Sequence, residues 1–369
     1  MFDRRLIENF DWALLMVIFS ICGVGLLILY SAVTAGWDGT GIHPLFKRQM
    51  IWMGCGTMVM MGVSLIDFKD FEKLNLLIYI GCILMLASVY VFGEIGGGSR
   101  RWLALGLFRV QPSELMKIAL IISLSSVYAS SISPEGLSFR NLLKPAIICL
   151  IPFALIVNQP DLGTGLLLLL IAACITLFVK VEKKVFYTLS GFALSIVPLV
   201  WFFGLKDYQK ARVMTFLDPD RDPLGAGYHI IQSKIAIGSG MIMGKGYLQG
   251  TQNALSFLPE QHTDFILSVL AEEWGLVGCG ALLILYMILL FCGLNISYNC
   301  RNMFGSILAF GVTCMIFWQI FINIGMVMGL MPVVGVPLPL ISYGGSSVIT
   351  NMVGFGILLN ISMRKFSGA

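Results

Sequence analysis

Side chains capable of acid–base chemistry cluster in the segment FLPEQHTDF, directly before a long apolar run. The cluster contains Glu260, His262 and Asp264. A carboxylate at an apolar boundary can have its pKa raised toward a value suited to a general base. The same carboxylate could instead cap a helix, because Asp accepts hydrogen bonds from the unpaired N–H groups of a first turn. The residues alone leave both roles open for Asp264.

A second charged group lies in GEIGGGSRRWLALGLFRVQPSELMK. Pro112 is typical of a helix start, which would place Glu114 and Lys117 three residues apart on one helix face. Charges at membrane depth are costly and indicate function by default, although a purely structural ion pair explains the spacing equally well. Arg101 and Arg109 could anchor lipid headgroups or bind an anionic group, since the planar guanidinium suits phosphate.

Two further turns carry polar candidates. Asp161, in NQPDLGTG, has the position of a helix N-cap at the mouth of a bundle. Ser342 lies in MPVVGVPLPLISYGGSS, where three prolines predict a rigid, re-entrant-like turn that must line protein or a polar cavity. Gln319 and Asn323, on the apolar stretch before this turn, are expected to form interhelical hydrogen bonds.

The composition indicates which elements position these residues. Hydrophobic residues make up 57% of the 369-residue chain and charged residues only 12%, against about 25% charged in soluble domains, so the chain is predicted to be an integral membrane protein. Its basic residues are dispersed, which argues against a nucleic-acid partner. A spanning helix needs about 20 mainly apolar residues. The charge-free runs are Trp12–Trp37, Gln49–Ile66, Leu74–Gly93, Ile118–Pro134, Pro145–Pro160, Leu162–Val179, Val185–Leu205, Trp274–Cys300 and Asn302–Met363.

These runs predict an all-α fold with ten transmembrane helices, because the prolines after Met331 divide the last run into two spans. Twelve Lys and Arg residues fall in the short loops on the N-terminal side and five in the opposite loops, which predicts that both termini are cytoplasmic. The long segment Lys206–Asp264, between the seventh and eighth spans, is then extracytoplasmic. Residues 1–369 are expected to form a single membrane domain.

Connections as long as segment 206–264 are usually functional or disordered. Apolar residues interrupt this segment throughout and favour burial, so it is expected to be ordered. Tyr228–Gly238 predicts a short amphipathic helix on or within the outer leaflet. Gly238–Gly246 superficially suggests a phosphate-binding loop. The spacing of its glycines fails, and Gly246 stands where Ser or Thr should follow Lys245, so a turn-rich connector is favoured.

Five phrases resemble the signatures of the bacterial SEDS family, the proteins of shape, elongation, division and sporulation. They are FRVQPSE (108–114), NQPDLGT (158–164), DPLGAGYHIIQSKIAIGSG (222–240), FLPEQHTDF (257–265) and PVVGVPLPLISYGGSS (332–347). The resemblance runs essentially end to end and is closer to the elongation branch than to the division branch. It implies a peptidoglycan glycosyltransferase that acts on lipid II at the outer face of the cytoplasmic membrane. A class B penicillin-binding protein and other elongation-complex membrane proteins are the implied partners.

The resemblance also implies residue roles. Asp264 matches the family's essential catalytic acid, and Glu114 and Lys117 match residues of its polar cavity. Asp264 is therefore expected to act as general base on the acceptor hydroxyl, while Lys117, Arg101 and Arg109 stabilise the departing diphosphate. Further expected substrate contacts are Glu260, His262, Asp161 and Ser342.

A divalent cation, Mg²⁺ or Mn²⁺, could share the stabilisation of the diphosphate, but the sequence singles out no metal ligands. Two alternatives stay open at this point. One is a lipid II flippase or other transporter, which would place its polar residues near the membrane midplane. The other is a non-catalytic scaffold of the wall-synthesis complex.

Overall fold

The computed structural model describes residues 10–35, 41–96, 99–106, 108–131, 136–204, 206–218, 225–254 and 261–364, and most of these are helical. The helices are α1 (Trp12–Thr34), α2 (Pro44–Leu65), α3 (Phe68–Lys73), α4 (Asn75–Phe92), α5 (Pro112–Ala129), α6 (Phe139–Asn158), α7 (Leu162–Phe178), α8 (Lys183–Leu199), α9 (Asp207–Leu217), α10 (Ala226–Gly240), α11 (Thr251–Ala254), α12 (Ile266–Asn299), α13 (Met303–Val327) and α14 (Gly345–Arg364). A π-helical turn, Val200–Gly204, extends α8.

Among the described residues, six helices are long and apolar enough to cross a membrane: α1, α4, α6, α12, α13 and α14. The extent to which each helix is buried distinguishes the centre of the bundle from its periphery. The apolar windows of α13 and α14 are 72% and 89% buried, whereas those of α4 and α6 are 11% and 22% buried. The former pair therefore forms the core of the bundle, and the latter pair presents apolar side chains outward, as lipid contact requires.

Close helix packing at the core depends on small residues. α14 lies along α2, and a Cβ atom added at Gly356 would lie only 2.7 Å from the carbonyl oxygen of Met60. A larger side chain would therefore push the two helices apart. Small residues are expected at helix interfaces in a membrane, because lipid provides no hydrophobic driving force for helix association. Close van der Waals contact must provide it instead.

A small antiparallel sheet departs from the all-α prediction. Its strands, in the order β1-β2-β3, are β1 (Glu94–Gly96), β2 (Ser99–Leu105) and β3 (Phe108–Val110). Leu103 is buried while its neighbour Ala104 is exposed, the alternation of a strand with one covered face. The segment between α4 and α5 is therefore a structured cap on the bundle.

Several helices begin earlier than the charge-free runs. α5 begins at Pro112 rather than Ile118, and α12 begins at Ile266 rather than Trp274. In each case the run stopped at charged residues that are in fact buried. Glu114 and Lys117 pair within α5, whereas Glu272 and Glu273 of α12 accept from Lys245 and Ser31, outside the helix. Paired charges are tolerated at such positions, whereas a search for uncharged stretches excludes them.

The segment 206–264 is ordered where it is described and contains α9, α10 and α11. The helix predicted at Tyr228–Gly238 corresponds to α10, which packs against α12 and α13. Ile230 and Ala236 are buried in that contact, and Ser233 Oγ donates to the carbonyl oxygen of Val327 at 2.7 Å. The apolar face of α10 therefore covers the bundle.

Candidate functional site

Asp161 is the N-cap of α7, as its position in the turn predicted. Its Oδ1 accepts from the backbone N–H of Thr164 at 3.2 Å, and its Oδ2 accepts from the Thr164 hydroxyl at 3.0 Å. Gln111 Nε2 donates to the same Oδ2 at 3.0 Å, which ties the start of α5 to the start of α7. The buried carboxylate therefore joins the start of α5 to the start of α7.

The two candidate arginines occupy different environments. Arg101, on β2, donates from Nη2 to the carbonyl oxygen of Pro160 at 2.6 Å, and its Nη1 lies 3.8 Å from Asp161 Oδ1. Its Nε is buried and has no hydrogen-bond partner among the described residues. Arg109, on β3, is largely exposed and pairs with Glu94 at 3.1 Å. Arg101 is therefore the better-placed guanidinium for an anion inside the site.

Glu114 and Lys117 form the ion pair that their spacing predicted. Lys117 Nζ lies 2.8 Å from Glu114 Oε1, and both side chains are buried in the first two turns of α5. Glu114 Oε2 is also buried, yet it lacks a hydrogen-bond partner in the part of the chain that the structure describes. Leaving such an oxygen unsatisfied is costly, so this end of α5 can accept a further donor from water or a ligand.

Asp264 lies in the turn 261–265 that precedes α12. The N-cap position of α12 is occupied by Phe265, and Asp264 lies one residue before it. Asn323 Nδ2 donates to the backbone carbonyl of Asp264 at 3.0 Å and to that of Val336 at 2.9 Å. The backbone of this turn is therefore fixed by a buried side chain of α13.

Ser342 and His262 hold the same turn to the proline-rich segment. Ser342 Oγ donates to the carbonyl of Thr263 at 2.6 Å and accepts from the N–H of Leu338 at 2.9 Å. The carbonyl of His262 accepts from the N–H of Tyr343 at 2.9 Å, and the two rings lie 5.9 Å apart. In these contacts Ser342 supports backbone. Glu260 lies outside the described residues.

Close backbone contacts bring the separate turns together. Gly163, in the Asp161 turn, lies so close to the carbonyl of Val334 that a side chain there would clash. The next residue, Gly335, has a φ of +74°, and a Cβ atom added to it would lie 3.5 Å from Asp264 Oδ2. The two aspartate turns are therefore both in contact with the Val334–Gly335 dipeptide.

Two glutamines complete this arrangement and were not expected from the sequence. The N–H of Gln111 donates to Ser346 Oγ at 3.1 Å, which joins the β-sheet cap to α14. The buried Gln49 of α2 donates to the carbonyl of Ser342 and accepts from the N–H of Gly344, both at 3.3 Å. A glutamine that follows Lys47 and Arg48 looks like an ordinary residue of the membrane–water interface. The one sequence feature that could have drawn attention to it is its position at the start of an apolar run.

Among the described residues, no group of three or more His, Cys, Asp or Glu side chains gathers to hold a metal ion. Mg²⁺ is commonly held by one or two carboxylates together with substrate phosphates, so this finding concerns only a site built wholly from protein side chains. No step of the chemistry below is assigned to a metal.

Comparison with known proteins gives a consistent result. The profile of the FtsW/RodA/SpoVE family, described as cell cycle protein, matches residues 12–366. The peptidoglycan glycosyltransferase MrdB of Escherichia coli (strain K12) is 44% identical over 344 residues, covering 92% of this chain and 91% of that protein.

Two solved structures share the fold. One is described as "Structural coordination of polymerization and crosslinking by a peptidoglycan synthase complex". It superposes with a TM-score of 0.82 at 30% identity and covers 97% of this chain and 99% of its own. The other is the rod shape-determining protein RodA of Thermus thermophilus, with a TM-score of 0.71 at 26% identity, covering 97% of this chain and 98% of its own. The chain belongs to the FtsW/RodA/SpoVE family, the SEDS proteins that its sequence phrases resemble.

Proposed function

We propose that this protein is a peptidoglycan glycosyltransferase that polymerises lipid II into glycan strands at the outer face of the cytoplasmic membrane during cell elongation. The observation that carries the proposal is the convergence of the Asp161 turn and the Asp264 turn on Val334–Gly335. A relative that is 44% identical over nearly its whole length is named for this activity, and RodA of Thermus thermophilus shares the fold.

The proposed topology has ten transmembrane helices, both termini in the cytoplasm and segment 206–264 outside, in one membrane domain. The distribution of Lys and Arg supports this orientation. At the proposed outer face, the carbonyls of Thr263 and Asp264 in the irregular turn accept from Ser342 and Asn323. Non-helical backbone at membrane depth is stable only when protein or a polar cavity surrounds it.

In the proposed reaction, Asp264 takes the proton of the acceptor sugar's 4-hydroxyl. The resulting oxygen forms a bond to the anomeric carbon of the donor glycan, and the bond from that carbon to the polyprenyl diphosphate breaks. The diphosphate leaves with the electron pair. A weakly acidic hydroxyl requires a positioned base, and Asp264 meets this need because Asn323 holds its backbone and Gly335 leaves room beside its carboxylate.

The departing diphosphate needs positive charge. Arg101 is the first candidate, because its guanidinium is partly buried beside Asp161 and keeps one N–H group without a partner among the described residues. Lys117 is the second and would act together with Glu114. Arg109 is already paired with Glu94 in an exposed position, so we assign it a peripheral role in attracting the anionic substrate.

A class B penicillin-binding protein is the proposed partner, supplying the transpeptidase that cross-links the strands. The support is the fold shared with a chain of a peptidoglycan synthase complex that coordinates polymerization and crosslinking. Other elongation-complex membrane proteins are further expected partners.

Reconstitution separates this function from its alternatives. The purified chain is placed in liposomes with its penicillin-binding partner and fluorescent lipid II, and the products are resolved by gel. Glycan polymer supports the transferase. Lipid moved between leaflets without polymer identifies a transporter, as the buried Glu114–Lys117 pair would allow. The absence of both glycan polymer and moved lipid identifies a scaffold.

A further inference from the structure

Helix α12 is broken at Gly275, whose φ of +63° and ψ of −157° are not helical. The break divides α12 into an outer half-helix, Ile266–Trp274, and a long inner part. In a continuous helix, the N–H groups of Leu276 and Val277 would donate to the carbonyls of Glu272 and Glu273. The break removes both bonds at a depth where unpaired backbone groups are costly.

A loop from the segment after α10 replaces both lost bonds. Leu276 N–H donates to the carbonyl of Met241 at 3.0 Å, and Val277 N–H to that of Ile242 at 3.1 Å. In the opposite direction, the N–H groups of Lys245 and Gly246 donate to the carbonyls of Glu272 and Glu273 at 3.0 and 2.9 Å. We call residues 241–252 the splint, since they bridge the break on both sides.

The side chain of Glu272 fixes the far end of the splint. Its Oε1 accepts from Lys245 Nζ at 2.6 Å, from the Thr251 N–H at 2.8 Å and hydroxyl at 3.0 Å, and from the Gln252 N–H at 3.1 Å. The carboxylate is 1% exposed, and Lys245 is 28% exposed. Glu272 therefore caps α11 and neutralises a lysine at once.

The splint is also tied to α1. Glu273 accepts from the hydroxyl of Ser31, and Tyr247 donates its hydroxyl proton to the carbonyl of Leu27 at 3.1 Å. Burial, followed by the nearby Glu273 carboxylate, raises the pKa of the Tyr247 phenol, so this hydroxyl stays protonated and remains a donor at neutral pH. The splint is thus anchored on both α12 and α1.

The outer half-helix is short, and Asp264 lies two residues before its first residue, Ile266. At that end Asn323 and Ser342 hold the turn, and at the other end the splint replaces the helical bonds to the inner part of α12. Any tilt of the half-helix about Gly275 would displace the turn that carries Asp264. The orientation of this two-turn element therefore depends on the bonds that Glu272 makes.

We propose that Glu272 is a positioning residue for glycan transfer: by fixing the splint in the break of α12, it holds the half-helix that places Asp264. This inference rests on the proposed function, because Asp264 has a role to be positioned for only if the chain is a transferase. It gives a role to Glu272, a buried acid eight residues after the proposed base. It also gives a role to Lys245, which the sequence analysis assigned to a turn-rich connector.

The test compares two variants that make the same substitution, Lys to Met, in ion pairs at different locations. Lys245→Met removes the 2.6 Å ion pair to Glu272, whereas Lys73→Met removes the 2.7 Å pair to Asp70 on the exposed helix α3. Lys245→Met and Glu272→Gln should each lower kcat for lipid II polymerisation by about 10- to 100-fold, the effect of a displacement near 1 Å at a reacting group. KM should stay within about twofold of wild type.

Lys245→Arg keeps the charge and should restore most of the rate, and Lys73→Met should match wild type. Hydrogen exchange of the peptide containing Leu276 and Val277 provides a readout independent of activity, and it should accelerate in Lys245→Met and Glu272→Gln alone. Unchanged kcat in both variants, or a loss that Lys245→Arg shares, would overturn the inference. An inactive wild-type protein would overturn the proposed function instead.

Discussion

The ion pairs Glu114–Lys117 and Glu272–Lys245 have similar lengths, 2.8 and 2.6 Å, but very different surroundings. In the first pair, both residues belong to α5, both are buried, and Glu114 receives one hydrogen bond, from Lys117. In the second pair, Lys245 lies in a loop and Glu272 in α12. Among the described residues, Glu272 receives four side-chain hydrogen bonds, two of them from backbone N–H groups.

This difference indicates two uses of a buried acid. Oε1 of Glu272 is a structural joint, since it satisfies the first N–H groups of α11 and a lysine together. Each of the two acids keeps a buried Oε2 without a hydrogen-bond partner among the described residues, so the number and origin of the donors on Oε1 distinguish them. We therefore propose Glu114 for the substrate site and Glu272 for its support, although the two residues look alike in sequence.

The largest expected effect comes from breaking the first pair. Lys117→Met leaves Glu114 charged and buried without a counter-ion, and removing one partner of a buried pair costs about 3–5 kcal/mol. The melting temperature in detergent should fall accordingly. Adding Glu114→Gln should recover most of the stability without recovering polymerisation. If the single variant melts like wild type, the pair is not buried as described.

The break in α12 offers the next largest effect. Gly275 has a backbone conformation that is essentially restricted to glycine, and a Cβ atom added to it would lie 2.4 Å from the backbone nitrogen of Gly244. Gly275→Ala should destabilise the fold by about 1–3 kcal/mol and displace the splint. Gly280→Ala, on the same helix with open space around it, is the matched control and should have no such cost. Equal melting of the two variants would mean that the break is absent.

Loss of the Asp161 joint should have a moderate effect. Asp161→Ala removes the N-cap of α7, worth about 0.5–2 kcal/mol, and also frees Gln111 and Arg101. Asp161→Asn keeps a capping oxygen and should retain most of the stability. The comparison is made by thermal unfolding, and an Asn variant as unstable as Ala would argue against the cap.

The smallest effect is expected for the exposed pair on the sheet. Arg109→Gln removes an ion pair to Glu94 in which both side chains are substantially exposed, and such pairs contribute about 0–1 kcal/mol. Melting should be nearly unchanged, while the apparent KM for lipid II rises modestly and more so at low salt. A large loss of stability would show that this pair is not a surface feature.

Much of the site could be predicted from local sequence. The Glu114–Lys117 pair follows from helical spacing, and the Asp161 cap follows from its place before an apolar run. Both are interactions within four residues of the chain, where spacing determines geometry. The resemblance to the SEDS family added the role expected of Asp264, which spacing alone did not provide.

The contacts that join distant segments could not be predicted. Gln49 and Glu272 act on residues far away in sequence, and nothing in their immediate surroundings distinguishes them. Asn323 was expected to bond outside its own helix, but the sequence could not show that its partners are the carbonyls of Asp264 and Val336. The charge-free run began only at Trp274, after Glu272, because an acid interrupts such a run whether it faces water or is bonded inside protein. The small sheet was missed for a related reason, since glycines around a short alternating pattern indicate a turn as readily as a hairpin.

The central claim is that Asp264 is the base of glycan transfer. Asp264→Asn preserves the size of the side chain and leaves intact the bonds that Asn323 and Ser342 make to the backbone of the turn. Polymerisation of purified lipid II by the reconstituted complex, measured beside Asp70→Asn as the control, should fall by at least about 10²-fold, with melting unchanged. A folded Asp264→Asn protein that polymerises lipid II at the wild-type rate would contradict the account.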